Sequence, residues 1–370
     1  MQIRLLQMLL IGVLGLGAYI IFSSSCVPKG GFSVSGFLFG RPLLTTVDDT
    51  LAGLMLTNPQ DNRVVNLFAS YQDKPLDTKT LSHIAANYST DVATFYFLQK
   101  EYQNENNKQA QDLYAANLDL LSLGDNMSEL NLLKDYYVAF VPGLAYNDTS
   151  NGGNFARQRR LLTSAGIANE MIVTDDWGMS DDNAAIVAAR LRELSILHEK
   201  IIVVSASKGG LETALALGKI LKPEETKPIK AWVSVGGVLR GSPVADTFLC
   251  WPKCWIAEIG LMTKGKKINL LQDVSYKKRE QEYKQLPFPD SIKIIHFVGA
   301  PMATMINKDI RGLYCSIKSL GPNDGLTPLA DEVTANGIVV SEVGLDHHYR
   351  DPNIDKKTIA LALVIAQIEN

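Results

Sequence analysis

A serine in a strand-to-helix turn has the neighbours that a nucleophilic hydroxyl needs. Residues 203–210 read VVSASKGG, between an apolar strand-like run and a helical stretch. A serine hydroxyl attacks a carbonyl only when it is exposed, oriented and next to a base, and a sharp turn provides the exposure. Such a turn requires small residues two positions before and two positions after the nucleophile. Ser205 and Gly209 meet that requirement around Ser207, whereas Val203 would crowd a turn centred on Ser205.

A candidate acid and a candidate base follow the serine along the chain. Asp324 lies in an Asn-Asp-Gly loop, and His347 and His348 come directly after the last predicted strand. The remaining histidines fall in a helical region, at the amino end of a strand and inside a buried run: His83, His198 and His296. We predict that His347 takes the proton of Ser207 and that Asp324 orients the imidazole, with His348 as the alternative base.

Two backbone N–H groups are candidates for binding an oxyanion. Pro142-Gly143 follows the first strand of the predicted sheet, and the N–H of Leu144 comes next. Ser207 begins the following helix, whose first N–H groups, including that of Lys208, have no partner inside the helix. Paired donors of this kind stabilise the tetrahedral intermediate of acyl transfer. We therefore predict Leu144 and Lys208 as the oxyanion donors.

The elements that must position these residues alternate regularly along the chain. From residue 135 onward, continuous apolar runs such as IIVV, AWVSV and KIIHFV alternate with helical stretches. Continuous runs are typical of parallel strands that are buried on both faces. The pattern predicts an α/β fold with a doubly wound, mostly parallel sheet, in which the chemistry lies at the carboxyl ends of the strands. The predicted strands are 136–141, 169–174, 200–205, 229–235, 292–299 and 337–343.

From residue 136 to its end, the chain resembles the α/β-hydrolase superfamily, in particular bacterial lipases and carboxylesterases. The resemblance rests on residues 205–210, on RGSPVAD at 240–246, on NDGL at 323–326 and on Asp346-His347. It implies an α/β-hydrolase fold and the following roles: nucleophile Ser207, acid Asp324, base His347, and oxyanion donors Leu144 and Lys208.

Composition narrows the class of protein further. The chain has 370 residues and carries 36 Lys and Arg against 39 Asp and Glu. The resulting net charge of −3 argues against a general nucleic-acid binder, which needs a basic surplus. Hydrophobic residues make up 46% of the chain, which excludes a disordered protein. The four cysteines fit no zinc pattern, and the predicted chemistry requires neither a metal nor an organic cofactor.

Residues 1–26 predict an export or anchoring segment. Arg4 precedes an apolar run over residues 5–22, and small residues precede Cys26. The run resembles a bacterial lipoprotein signal, in which Cys26 would be lipidated. An uncleaved anchor and a plain cleaved signal are the alternatives, because the run has a length that both a bilayer span and a signal peptide allow. All three place the remainder outside the cytoplasm, on the periplasmic or extracellular side.

The rest of the chain divides into regions that differ in composition and in predicted secondary structure. Residues 27–47 are predicted to be a tether, residues 48–130 a helical accessory segment and residues 131–370 the α/β-hydrolase domain. Residues 247–287 interrupt the strand pattern and are rich in Trp and aliphatic side chains, which predicts either a mobile lid or a fixed helical insertion. Cys250 and Cys254 are spaced for a local disulfide in an oxidising compartment, which would leave Cys315 single.

Together these features predict a membrane-tethered serine hydrolase that cleaves carboxylic esters of acyl chains through an acyl-enzyme on Ser207. Transfer of the acyl group to another alcohol is the alternative on the same fold. A catalytically silent binding module is the alternative from a different class. The expected partners are an acyl-ester or lipid substrate and a membrane bound through the N-terminus, with no nucleic acid.

Overall fold

A six-stranded parallel sheet lies at the centre of the protein. The computed structural model describes residues 26–28, 30–122, 127–147, 153–263 and 265–369. The strands of this sheet are β3 Tyr137–Val141, β4 Asn169–Met171, β5 Ile201–Ala206, β6 Ile229–Val235, β7 Lys293–Ala300 and β8 Ile338–Val343. Their spatial order is β4-β3-β5-β6-β7-β8. All six correspond to predicted strands, and the edge strand β4 ends three residues earlier than expected.

Helices cover both faces of this sheet. In chain order, the α-helices of the described residues are α1 Thr50–Thr57, α2 Asn62–Tyr71, α3 Thr78–Asn87, α4 Thr90–Tyr102, α5 Glu105–Ser122, α6 Ala156–Ser164, α7 Ser180–Leu197, α8 Lys208–Leu215, α9 Pro223–Thr226, α10 Pro243–Leu249, α11 Lys253–Thr263, α12 Asn269–Asp273, α13 Tyr276–Tyr283, α14 Arg311–Ile317 and α15 Ile354–Glu369. Short 3-10 helices occupy Met127–Leu133, Lys318–Leu320 and Leu329–Glu332, and α8 continues as a π-helical turn over Ala216–Ile220.

The two faces of the sheet bury alternate side chains of each strand. Helices α5, α6 and α15 pack on one face, against side chains such as Phe140 and Ile202. Helices α7 and α8 pack on the other, against side chains such as Val141 and Val203. Successive side chains of a strand point to opposite faces, so a sheet covered on both sides needs apolar residues at every position. The predicted doubly wound parallel α/β sheet is confirmed.

The accessory segment protects an edge of the sheet. Among the described residues, the backbone of β8 has a strand neighbour only on its β7 side. On the other side, the Asn107 side-chain oxygen accepts the N–H of Val339 at 2.9 Å. The Gln111 amide accepts the N–H of Ser341 at 2.8 Å and donates to its carbonyl at 3.2 Å. Because Asn107 and Gln111 lie one turn apart on α5, this helix takes the place of a further strand and satisfies the exposed edge.

The prediction of a tether over residues 27–47 is wrong. This part of the chain contains an antiparallel hairpin made of β1 Phe32–Leu38 and β2 Arg41–Val47. Phe39 and Gly40 form its turn, both with positive φ. Gly36 lies so close to α1 that a Cβ there would be 2.5 Å from the carbonyl oxygen of Leu56. The glycines that suggested a flexible tether are therefore required by a tight turn and a close helix contact.

A disulfide joins the start of the described chain to a helix in its C-terminal third. Cys26 is bonded to Cys315 on α14, with 5.7 Å between their Cα atoms and a sequence separation of 289. A sulfur in a disulfide cannot also carry a thioether-linked lipid, so the predicted lipidation of Cys26 is wrong. The predicted local disulfide is wrong as well, since Cys250 and Cys254 are free thiols. Tertiary proximity selects the pair, and sequence spacing does not reveal it.

The remainder of the predicted export segment, residues 1–25, lies outside the described residues. None of the helices within the described ranges combines the length and the apolarity that a bilayer span requires. The predicted insertion over residues 247–287 is helical, since it holds the end of α10 and all of α11, α12 and α13. Its movement as a lid stays a prediction.

Candidate active site

Ser207 lies in a strained turn between β5 and α8. Its backbone has φ 53° and ψ −123°, a region that non-glycine residues seldom occupy. The Ser207 N–H donates to the carbonyl of Val235 at 3.0 Å, which ties the turn to the end of β6. A Cβ at residue 209 would lie 2.3 Å from the carbonyl oxygen of Pro142, so only glycine fits there. The small residue required two positions after the serine thus has a steric cause.

The structure brings the side chains of Ser207, His347 and Asp324 into one hydrogen-bonded chain. The Ser207 hydroxyl lies 2.8 Å from Nε2 of His347. The Nδ1 atom of His347 lies 2.5 Å from a carboxylate oxygen of Asp324. With the Nδ1 proton donated to Asp324, Nε2 is left as an acceptor for the serine proton. These residues come from three different loops at the carboxyl edge of the sheet.

Asp324 is built to stay ionised. Its second carboxylate oxygen accepts the N–H groups of Leu326 and Thr327, each at 2.8 Å. Burial by itself would raise the pKa of Asp324, but the His347 ring and these two donors outweigh it and lower the pKa. A backbone bond from the His347 N–H to the Asp324 carbonyl, 2.9 Å long, also joins the two loops directly. Two contacts, one between the side chains and one between the backbones, therefore position the imidazole against the carboxylate.

His348, the alternative base, lies beside the site without contacting Ser207. It lines the same cleft, and its Nδ1 atom is buried without a hydrogen-bond partner in the described chain. Burial and the neighbouring His347 lower the pKa of its ring. Two other histidines have structural contacts: His83 accepts or donates a hydrogen bond with Tyr71 at 2.8 Å, and His198 stacks on Tyr137.

His296 lies inside β7, away from the site, and makes a testable contribution to stability. Its Nε2 atom accepts the N–H of Thr334 at 3.1 Å, and the ring is buried. Burial lowers its pKa from the ordinary 6.5 to about 3.

Between those two pH values the unfolded chain binds a proton that the folded chain does not. The free energy of unfolding should therefore fall with decreasing pH by about 1.4 kcal/mol per pH unit through this group alone. Urea unfolding of the wild type and of His296→Gln between pH 4 and pH 7 isolates the contribution as the difference between their slopes. Parallel pH dependences would contradict it.

Ser205, the other serine of the turn, is fully buried. Its hydroxyl oxygen accepts the indole N–H of Trp232 at 2.7 Å, inside the sheet. The Ser205 side chain therefore links β5 to β6 and presents no hydroxyl to the solvent.

The predicted oxyanion donors lie on two sides of Ser207. Lys208 is the first residue of α8, and Gly143 approaches Ser207 so closely that a Cβ there would be 3.2 Å from the Ser207 Cβ. Leu144, the next residue, lines the cleft with the serine. In the part of the chain that the structure describes, no backbone carbonyl accepts the N–H of Leu144 or of Lys208. Both N–H groups are thus available to a ligand, and their role stays a prediction.

Solved structures resemble this chain in their fold. The chain is similar to a carboxyl esterase from a metagenome, with 21% identity and a TM-score of 0.50 over 64% of this chain and 75% of that one. It is also similar to a mature lipase from Bacillus licheniformis, with 21% identity and a TM-score of 0.47 over 62% and 90%. A scan against protein-family models and a search among curated proteins gave no match.

The chain has the α/β-hydrolase fold. At this level of identity the comparison shows the fold alone. In this α/β-hydrolase sheet, the turn with Ser207 follows β5, Asp324 follows β7 and His347 follows β8. The carboxyl ends of parallel strands meet at one edge, which explains how residues far apart in sequence come together.

A buried ion pair lies directly beneath the turn that carries Ser207. The ammonium group of Lys208 contacts the carboxylate of Glu212 one helical turn later, and both side chains are at most 4% exposed. The side-chain amide of Asn183 donates to the same carboxylate at 2.8 Å. It also donates to the carbonyl of Asp175 and accepts the Asp175 N–H. Burial raises the pKa of Glu212, and Lys208 opposes that effect. Sequence analysis missed this network, although Lys and Glu four residues apart on a helix were its signal.

Ser207 and His347 face a cleft of about 680 Å³ at the carboxyl edge of the sheet. Apolar side chains make up much of its wall: Leu144, Phe155, Trp177, Leu326 and Ile354. Sequence analysis did not single out Phe155 or Trp177, because each belongs to a loop whose course only the folded chain defines. For Trp177, the signal was its place in the loop that follows the carboxyl end of β4.

Tyr349 is a further residue that sequence analysis missed. Its hydroxyl donates to the carbonyl of Phe297 and accepts the N–H of Gly299, each at 2.7 Å. These contacts connect the loop that carries His347 to the end of β7. Tyr349 therefore positions the imidazole through the backbone, and an aromatic residue two places after the histidine was the signal.

Proposed function

We propose that this protein is a serine hydrolase that cleaves carboxylic esters through an acyl-enzyme on Ser207. The observation that carries the proposal is the continuous hydrogen-bonded chain from the Ser207 hydroxyl through His347 to Asp324, at the wall of an open cleft. A nucleophile, a base and a group that orients the base are the minimum set for acyl transfer.

The geometry supports a two-step reaction. Ser207 Oγ attacks the ester carbonyl while Nε2 of His347 takes its proton, and the ionised Asp324 stabilises the resulting imidazolium. The N–H groups of Leu144 and Lys208 bind the oxyanion that forms on the carbonyl oxygen. His347 then gives its proton to the leaving alcohol. Water attacks the acyl-enzyme with His347 as base, and this step releases the carboxylic acid and restores Ser207.

The apolar wall of the cleft favours esters whose acyl or alcohol part is hydrophobic. Leu144, Phe155 and Ile354 remove such groups from water, whereas a small polar ester would gain little from them. We infer an acyl-chain ester as the substrate class. Hydrolysis of p-nitrophenyl esters of increasing chain length measures the preference, with kcat/KM rising from the acetate to longer chains.

We infer that the protein acts outside the cytoplasm. The Cys26–Cys315 disulfide supports this placement, because such bonds persist in oxidising compartments and are rare in reducing ones. The apolar run at residues 5–22 is consistent with export and with attachment to a membrane at this end of the chain.

Labelling with a fluorophosphonate probe tests the proposed nucleophile. We expect the probe to label the wild-type protein and to leave Ser207→Ala unlabelled, because only an activated serine attacks the phosphorus. Ser205→Ala is the matched control, since it removes a hydroxyl two residues away that contacts Trp232 and no solvent. Absence of labelling in folded wild type, or equal labelling of Ser207→Ala, would refute the mechanism.

A further inference from the structure

The helix α11 carries an apolar stripe that the described residues leave uncovered. No residue of this helix is buried. Trp255, Ile259 and Met262 lie on one face of it and are 63%, 44% and 67% exposed, and Trp251 in the preceding turn is 78% exposed. Soluble proteins seldom expose apolar side chains of this size next to one another unless the patch binds something. We call these four residues the α11 stripe.

The insertion around the stripe is basic, although the chain as a whole is not. Residues 247–287 hold eight Lys and Arg against four Asp and Glu, a net charge of +4, whereas the whole chain carries −3. Lys267 is exposed just after α11, and the Lys266 ammonium lies 5.4 Å from the centre of the Trp177 ring. Tryptophans beside lysines are a combination that suits the boundary between lipid headgroups and acyl chains.

The base of the insertion lies near the point where the described chain begins. The α10 helix, which leads into the insertion, packs against α14. The α14 helix carries Cys315, whose disulfide holds Cys26. Cys26, which follows the apolar run at residues 5–22 in sequence, is therefore held near the base of the insertion. The hydroxyl of Ser242, at the start of α10, also donates to the carbonyl of Leu326 on the wall of the cleft.

We propose that the α11 stripe is a membrane-docking surface that inserts its side chains into the interfacial layer of an anionic bilayer. Burial of the apolar side chains drives insertion, and the basic insertion adds attraction to anionic headgroups. Docking would work together with the N-terminal segment, because two attachment points fix an orientation that one leaves free. The cleft with Ser207 would then lie at the membrane surface, next to Trp177.

Tryptophan fluorescence of the full chain in vesicles tests this surface without using enzyme activity. The vesicles contain phosphatidylcholine with brominated acyl chains, with and without phosphatidylglycerol. We expect the bromines to quench the wild-type emission, and the quenching to fall at least about twofold in Trp251→Phe/Trp255→Phe. Phosphatidylglycerol should increase the wild-type quenching. Trp232 is buried and serves as an internal constant.

Two double variants test whether the quenching depends on the α11 stripe or on any exposed apolar side chain. Ile259→Glu/Met262→Glu should lose the quenching although the N-terminal segment is still present. Ile196→Glu/Leu197→Glu is the matched control, because these residues are 81% and 68% exposed at the end of α7, next to the amino end of β5. It should behave as the wild type does.

Three results would overturn the proposal. One is equal quenching of the wild type and the tryptophan double variant, and another is no response to phosphatidylglycerol. The third is a wild-type dimer in sedimentation that Ile259→Glu/Met262→Glu converts to a monomer, since a second copy would then cover the stripe. Hydrolysis of soluble p-nitrophenyl acetate should be the same in all these variants, so a failure of docking is distinguishable from a failure of the esterase function.

Discussion

Replacing His347 with alanine should lower kcat for a p-nitrophenyl ester by about 10⁴-fold or more. Its Nε2 atom is the base within reach of Ser207 Oγ, at 2.8 Å, and it is held there by the Asp324 carboxylate and by a backbone bond. Without the imidazole, the serine keeps its proton at neutral pH, and only the oxyanion donors and the cleft remain to accelerate the reaction. Initial rates at saturating ester measure the effect.

His348→Ala is the matched control for this prediction. The two histidines are adjacent and both line the cleft, but only His347 contacts the serine. We expect His348→Ala to lower kcat by less than about tenfold, through changes in the cleft wall alone. A larger loss in His348→Ala than in His347→Ala would reverse the assignment of the base. Both variants should retain a cooperative unfolding transition, which excludes misfolding as the cause.

Replacing Glu212 with glutamine should lower the free energy of unfolding by about 3–5 kcal/mol. The substitution keeps the shape of the side chain and an acceptor for the Asn183 amide, but it removes the charge that balances Lys208. An ammonium group that is almost fully buried then has no counter-ion, and its desolvation is no longer compensated. Urea unfolding at neutral pH measures the loss.

Two further variants test whether the burial of the pair is the cause. Lys284→Gln breaks another Lys–Glu pair of the same helical spacing, with Glu280, but that lysine is 59% exposed. We expect almost no change there, because water screens exposed pairs. Lys208→Met/Glu212→Gln should recover much of the lost stability, since no charge is left buried. Equal losses in the buried and exposed pairs would contradict the electrostatic explanation.

The positions of the candidate triad could be predicted from sequence because the rules involved are local. A strand-to-helix turn admits only small residues around its serine, and Gly209 shows the reason in its close approach to Pro142. A parallel sheet brings the carboxyl ends of its strands to one edge, so residues that follow β5, β7 and β8 had to converge. Strand periodicity and turn chemistry were sufficient for both conclusions.

The N-terminal part could not be predicted in the same way. Its glycines are typical of a tether, yet Gly36 is there because α1 passes close by, and that contact joins segments twenty residues apart. The α5 helix lies in the predicted helical accessory segment, but the sequence gives no indication that Asn107 and Gln111 bond the edge of a strand more than two hundred residues away. Such contacts exist only once the chain has folded.

The sequence by itself determined the alternation of strands and helices, the serine turn and the order in which the candidate nucleophile, acid and base appear. These follow from short-range sterics and from the period of apolar residues, which are properties of neighbouring positions. Only the tertiary structure decided that His347 rather than His348 meets Ser207, that Cys26 pairs with Cys315, and that the described residues leave the α11 stripe uncovered. Each of these depends on the distance between groups remote in sequence, and that distance is set by packing of the whole chain.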